Sequence, residues 1–383
     1  MIQAAPGIPG AASMKALFQR YRAEILLVFL TVGGSLLVYL PFWNAMGTVY
    51  RAWDGPNYLT VARTGYQIPD GYALLGYVYV KSYYLVHLPG YPALIRLFSF
   101  LGYQHAMLFV SMLCSAGAAI LFYRLCRDTW HLPQPLFLAT VFLFFPPRWL
   151  YFRSTGSTEA TYLLFTLAAI TLFEKDRVGW ASVMAALATI TRVPGLLIAA
   201  AFGLILLQRK QWRSLPWLLL PPAVLSGYFL FCWSQTGNFF QYLAGHGDKA
   251  GSFRPFGFMP RLFELGAIHQ VEYFILLAFV YGIGISRIRK LETIFVYSAL
   301  QFLLHVNVST EEWPRYWLVM APFALVVGFH DIWETREAKW LFAIPVVMGF
   351  VYCWGAIPLN GVLPDYWKLA LAQLGLFHEW TPP

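Results

Sequence analysis

The stretch Val178–Gln208, VGWASVMAALATITRVPGLLIAAAFGLILLQ, holds one charged residue, Arg192, in 31 positions. A helix needs roughly 20 apolar residues to cross the hydrocarbon core of a bilayer, so this run is too long for one straight span. Its interruption is Thr191-Arg192-Val193-Pro194-Gly195. Proline removes a backbone N–H and pushes the residue before it out of helical geometry. The spacing therefore predicts two short membrane helices that meet at Arg192. A charge at such depth is costly and usually marks a pathway or ligand, although a cation is also comfortable at a helix C-terminus, from which it could snorkel.

Outward from this break the chain keeps the same character. Of 383 residues, 59% are apolar and 12% charged, against about a quarter charged in a soluble domain. Further candidate spans are Ile25–Trp43, His105–Tyr123, Pro135–Leu150, Thr158–Phe173, Leu215–Trp233, Tyr273–Ser286, Thr293–Val308, Arg315–Phe329 and Trp340–Ile357. With the two short helices they predict an all-α polytopic membrane protein of about eleven spans, in a single domain over residues 1–383. Ile25–Trp43 is too long for a signal-peptide core and reads as a retained anchor. Cys114, Cys126, Cys232 and Cys353 lie in or beside apolar segments without paired spacing, which excludes a disulfide framework or a cysteine zinc site.

Lys plus Arg number 27 against 18 acidic residues. No basic stripe of the kind that binds nucleic acid explains the excess. If residues 1–22 form a cytoplasmic tail, fifteen of the 27 fall in short inner turns, such as Arg124, Arg127, Lys175, Arg177, Arg209, Lys210 and Arg287, as the positive-inside rule requires. The long loops 44–104 and 234–272 then share the outer face, with the turns at 148–157 and 309–314 and the C-terminus. Long loops on a compact scaffold bind or catalyse, so the site is expected there, outside the cytoplasm.

The first loop contains Arg51-Ala52-Trp53-Asp54-Gly55-Pro56-Asn57-Tyr58-Leu59. Asp54 suits two roles: a general base that takes a proton from an acceptor hydroxyl, or an N-cap for the helix that Pro56 helps start. The run from Tyr83 to Leu101, broken by Pro89, Gly90 and Pro92 and carrying only His87 and Arg96 as ionisable groups, reads as an interfacial segment that could cradle a lipid. Glu159 opens a helix, where the macrodipole favours it, and is also a candidate second carboxylate. Arg315, after Pro314, is placed at a helix's positive end, so an anionic partner is expected: Glu311, Glu312 or a ligand phosphate. His305 lies about two turns from the outer end of the preceding span. In the second long loop Arg254, Arg261 and Lys249 beside His246 and Asp248 are weaker candidates. There is no phosphate-binding Gly-rich loop with Lys-Ser/Thr, no His-Glu-x-x-His, no Gly-x-Ser-x-Gly, and no Asp-x-Asp in the first loop.

In order, Trp53-Asp54-Gly55 with Tyr58-Leu59 and Gly65-Tyr66, then Leu88-Pro89-Gly90-Tyr91-Pro92, Ser157-Thr158-Glu159-Ala160, Thr191-Arg192-Val193-Pro194-Gly195 and Pro314-Arg315-Tyr316 resemble the GT-C membrane glycosyltransferases. Among these, the chain is similar to bacterial relatives of the GPI mannosyltransferase II family, from about Ile25 to Phe329. The resemblance implies a GT-C fold in a cell membrane and a polyprenyl-phosphate-linked sugar as donor. It implies a lipid or glycan acceptor, with Asp54 as base and transfer of one hexose, mannose by family weight, with inversion. Arg192, Arg315 and His305 would hold the donor phosphate, and Glu159, His87, Trp53 and Tyr58 would flank the acceptor. No cofactor is called for, apart from a divalent cation that Asp54 and Glu159 could hold. Two rivals share the charge pattern: a polyprenyl-linked glycan flippase or lipid transporter, and an O-antigen ligase or polymerase working from a lipid diphosphate.

Overall fold

The computed structural model describes residues 11–72, 74, 81–245, 255–310 and 312–381. These form helices joined by short turns, and the one β-bridge among them pairs Ala52 with Gly361. The principal helices are α1 (Ala11–Tyr39), α2 (Gly55–Thr64), α3 (Gly90–Leu97), α4 (Tyr103–Arg124), α5 (Pro135–Phe144), α6 (Pro147–Ser154), α7 (Glu159–Phe173), α8 (Val178–Thr191), α9 (Leu196–Gln208), α10 (Leu220–Thr236), α11 (Ile268–Arg287), α12 (Glu292–Val306), α13 (Trp313–Tyr316), α14 (Ala343–Leu359) and α15 (Pro364–Gln373).

Five helical stretches among the described residues are long and apolar enough to cross a bilayer: 19–42, 103–129, 212–236, 268–287 and 336–359. Their outward faces carry Phe29, Leu230, Phe279, Val347 and Val351 exposed, a surface suited to lipid. Others of the about eleven expected spans are shorter apolar helices, Glu159–Phe173, Val178–Thr191, Val193–Gln208 and Glu292–Val306, or are broken. Pro135–Leu150 breaks at Phe145-Pro146, and α5 and α6 meet at 74°. Arg315–Phe329 is not one regular helix either: it is one α-turn, a 3₁₀ turn at Trp317–Val319 and a π-turn at Pro322–Val327, packed inside protein. Hydropathy cannot distinguish an apolar run that faces lipid from one that faces other helices, because both exclude water. Irregular backbone survives at this depth because neighbouring helices bury it.

The 31-residue run divides as its proline predicts, into α8 and α9 around a 3₁₀ turn at Val193–Gly195. α7 lies at the centre, packed on α4 and α8. The C-termini of α4, α7, α9 and α11 run into the basic turns, where Arg124 pairs with Glu24, Arg209 with Glu292 and Arg287 with Asp331. Asp54, the start of α7, the α8–α9 break and α13 gather at the opposite end. The four cysteines are free and buried.

Two devices hold that opposite end. Arg153, wholly buried on α6, donates through Nε to the Leu143 carbonyl at 2.9 Å, and through Nη1 to the Thr31 carbonyl and Ser35 Oγ at 3.1 and 3.2 Å. Tyr39 donates to the Ser154 carbonyl at 2.6 Å. Together these bonds tie the turn before α7 to α1. The chain's last helical segment closes over the first loop. Arg51 donates to the Val362 carbonyl at 2.7 Å, Trp53 N–H to the Asn360 carbonyl at 2.6 Å, and the Glu379 carboxylate accepts the free N–H groups of Tyr103 and Gln104 that open α4.

A charged cluster at the broken-helix end

Asp54 precedes α2, as an N-cap would, yet its side chain accepts nothing from the helix amides. Its Oδ2 instead faces Arg315 Nη1 at 2.8 Å. Arg315 reaches on through Nε to Glu159 Oε1 at 2.6 Å. The same oxygen takes Arg192 Nη1 at 2.9 Å, and Arg192 Nη1 also lies 2.9 Å from Thr158 Oγ1. Asp54, Arg315, Glu159 and Arg192 thus form one continuous alternation of charge. Side-chain exposure falls inward, from 33% at Asp54 to 8% at Arg315 and none at Glu159, with Arg192 at 13%. The anionic partners of Arg315 are therefore Glu159 and Asp54, not the neighbours in sequence: Glu312 lies 3.6 Å from Arg148, and Glu311 is outside the described residues. Four groups distant in sequence can meet here because α7 begins where α8 ends and α13 folds back across both.

Close backbone approach makes the meeting sterically allowed. A Cβ on Gly156 would lie 2.8 Å from Gly55 Cα and would also strike Met107. A Cβ on Gly90 would lie 2.9 Å from Thr191 Cα. Side chains there would separate the Asp54 loop from the start of α7, and α3 from the α8–α9 break.

The aromatic residues complete the cluster. The Arg315 guanidinium carbon sits 5.3 Å from the Trp53 ring centre and 4.6 Å from that of Phe152, a placement in which ring quadrupoles favour the cation. Trp53 adopts φ of +52°, a left-handed conformation that costs a non-glycine residue of order 1–3 kcal/mol, and the pairing with Asn360 and Gly361 holds it. Tyr316 carries Arg192 over its ring at 5.6 Å and stacks with His305 at 5.6 Å. His305 donates from Nδ1 to the Gln301 carbonyl at 2.8 Å, so it lies behind Tyr316, not in the ion-pair chain. His87 is buried, 5.1 Å ring to ring from Tyr58, and Tyr58 packs at 5.5 Å on Tyr91. Burial pushes the Tyr58 phenol up from its ordinary value, and the Asp54 carboxylate pushes the same way, so near neutral pH it carries its proton.

Phe152 and Gly156 were not singled out by sequence reasoning, and Tyr316 entered only as the end of the Pro314-Arg315-Tyr316 motif, with no role of its own. Gly156 had a visible signal, a lone glycine between Ser154-Thr155 and Ser157-Thr158; the two aromatics are indistinguishable in sequence from the chain's other rings. Among the weaker loop candidates, Arg261 lies near Glu264 at 3.6 Å, while His246, Asp248, Lys249 and Arg254 are outside the described residues. Among the described residues no three His, Cys, Asp or Glu side chains converge as a metal cage, and the Arg315 guanidinium bridges Asp54 Oδ2 and Glu159 Oε1.

Comparison with known proteins follows the same lines. Residues 32–217 match the family model described as Mannosyltransferase (PIG-V). No curated protein sequence matches the chain. ArnT from Cupriavidus metallidurans bound to undecaprenyl phosphate is similar in structure at TM-score 0.54 and 13% identity, over 91% of this chain and 75% of that one. The archaeal oligosaccharyltransferase AglB from Archaeoglobus fulgidus, in complex with an inhibitory peptide and a dolichol-phosphate, is similar at TM-score 0.51 and 13% identity, over 95% of this chain and 60% of that one. The chain thus has the GT-C fold of these membrane proteins, and its residues 32–217 are similar to the mannosyltransferase (PIG-V) family.

Proposed function

We propose that this protein moves one hexose, mannose by family weight, from a polyprenyl-phosphate-sugar to a hydroxyl of a lipid-linked or glycan acceptor, with inversion, at the non-cytoplasmic face of a bacterial cell membrane. The observation that carries this reading is the chain from one-third-exposed Asp54 to buried Arg315, Glu159 and Arg192. It offers a base on its open side and two guanidiniums behind. Asp54 takes the proton of the acceptor hydroxyl while that oxygen attacks the anomeric carbon. The bond from that carbon to the phosphate oxygen breaks, and its electron pair leaves with the lipid phosphate. Arg315 and Arg192 stabilise the negative charge that grows there. A single displacement inverts the anomeric centre.

Two features support a lipid-borne donor. The cluster lies where broken membrane helices meet, beside surfaces suited to acyl chains, and ArnT and AglB, which share the fold, were each solved with a polyprenyl-type phosphate. An apolar cleft of about 290 Å³, lined by Met259, Ile275, Ala278, Phe302, Val306 and Trp313, includes chain neighbours of His305 and Arg315 and would take the first isoprene units.

The test is transfer of label from radiolabelled polyprenyl-phosphate-mannose to a membrane lipid extract, with and without chelator, by the purified protein and by Asp54→Asn. Product with the parent and none with the folded variant supports the reading. Failure of the parent with a panel of lipid-linked sugars would discard it in favour of a lipid transporter, which reconstituted flipping would then examine.

A further inference from the structure

The ion-pair chain is balanced: two carboxylates, Asp54 and Glu159, face two guanidiniums, Arg192 and Arg315. A phosphodiester brings one more negative charge into a cluster that has no surplus cation among the described residues. Simple addition would leave an anion poorly compensated beside buried carboxylates, which is unfavourable at low dielectric. One of the two acids must yield its partner.

Geometry decides which. Glu159 is fully buried and holds both arginines through one oxygen, so releasing it would strand a charge in the protein interior. Arg315 is fixed by that bond at Nε and by the rings of Trp53 and Phe152 on its faces. Asp54 is different: a third of its side chain is exposed, it is on the open side, and no helix amide holds its carboxylate. It is the member of the cluster that can turn away at small cost.

Resting on the lipid-phosphate donor proposed above, we infer that Arg315 exchanges partners: Nη1 holds Asp54 in the empty enzyme and the donor phosphate in the loaded one. The exchange makes the base conditional. While the guanidinium holds Oδ2 it lowers the basicity of the whole carboxylate and fixes its orientation; once the phosphate takes Nη1, Asp54 becomes the stronger base and turns to the acceptor. The donor then binds first, and Asp54 opposes donor binding even though it is required for transfer.

This gives an unusual expectation for a catalytic base: removing its charge tightens the ground-state complex. The probe is a short-chain polyprenyl monophosphate without sugar, with the matching uncharged polyprenol as control, titrated into the full-length protein in nanodiscs. Asp54→Asn and Asp54→Ser are each expected to bind the monophosphate about tenfold more tightly than the parent, as freeing one charge-assisted hydrogen bond allows, with polyprenol binding unchanged. Two variants of different size guard against a local folding defect in one. Equal or weaker monophosphate binding by folded variants overturns the exchange while leaving the donor reading intact. If the parent binds monophosphate no better than polyprenol, and Arg315→Met changes neither, the donor reading itself falls and the exchange with it.

Discussion

Gly55 and Gly156 meet backbone to backbone, so closely that a Cβ on Gly156 would stand 2.8 Å from the Gly55 Cα. One glycine follows Asp54, and the other lies three residues before Glu159. Their contact sets the distance between the two acids that share Arg315.

Gly156→Ala is therefore expected to push the first-loop helix away from α7 and to strike Met107 as well. Overpacking of this kind costs about 1–3 kcal/mol, and a displacement near 1 Å at a catalytic group costs about 10²-fold in rate. Thermal melting in detergent and initial-rate assays would check both. Restoration by Met107→Ala should be slight, because the backbone collision remains.

Glu159→Gln removes the acid that serves two arginines at once. Breaking a buried pair from one side costs about 3–5 kcal/mol, so this variant is expected to be less stable than Asp54→Asn, whose acid is partly exposed. Comparing the two melting temperatures at matched detergent and salt tests the ranking; equal values would contradict the burial gradient along the chain.

Arg315→Lys keeps the charge but loses the planar fork that spans Asp54 and Glu159. Transfer is expected to fall about 10²–10³-fold, the usual loss when one oriented donor to a developing anion is removed. Steady-state kinetics on the folded variant would show it, and a fall below threefold would mean that point charge alone suffices.

Glu379→Gln keeps one accepting oxygen and sets an NH2 donor against the other of the two amides, Tyr103 and Gln104, that the carboxylate now receives. Loss of an anionic cap at a helix N-terminus is expected to cost about 1 kcal/mol. The readout is faster hydrogen exchange at the first turn of α4, with α7 protection unchanged.

Much of this architecture was legible in the chain itself. The 31 residues from Val178 to Gln208 favour two short helices because proline and a bilayer's thickness disfavour one straight span, and charge asymmetry sorts the turns, because cations near the ends of spans bias orientation. Asp54, Arg192 and Arg315 were also visible, since a charge beside or within an apolar segment needs a reason. What the sequence could not determine was partnership. Asp54 looked equally suited to capping its helix, and Arg315 seemed to need Glu311 or Glu312, because local spacing reports only neighbours along the chain. Burial of Glu159 at the meeting of α7, α8 and α13, made possible by Gly55 against Gly156, gives both arginines a nearer anion from 33 and 156 residues away. Likewise, Arg315–Phe329 reads as a lipid-facing helix in hydropathy yet folds as irregular turns buried among other helices. Transfer to an apolar environment is favourable whether lipid or protein supplies it, and only packing decides which.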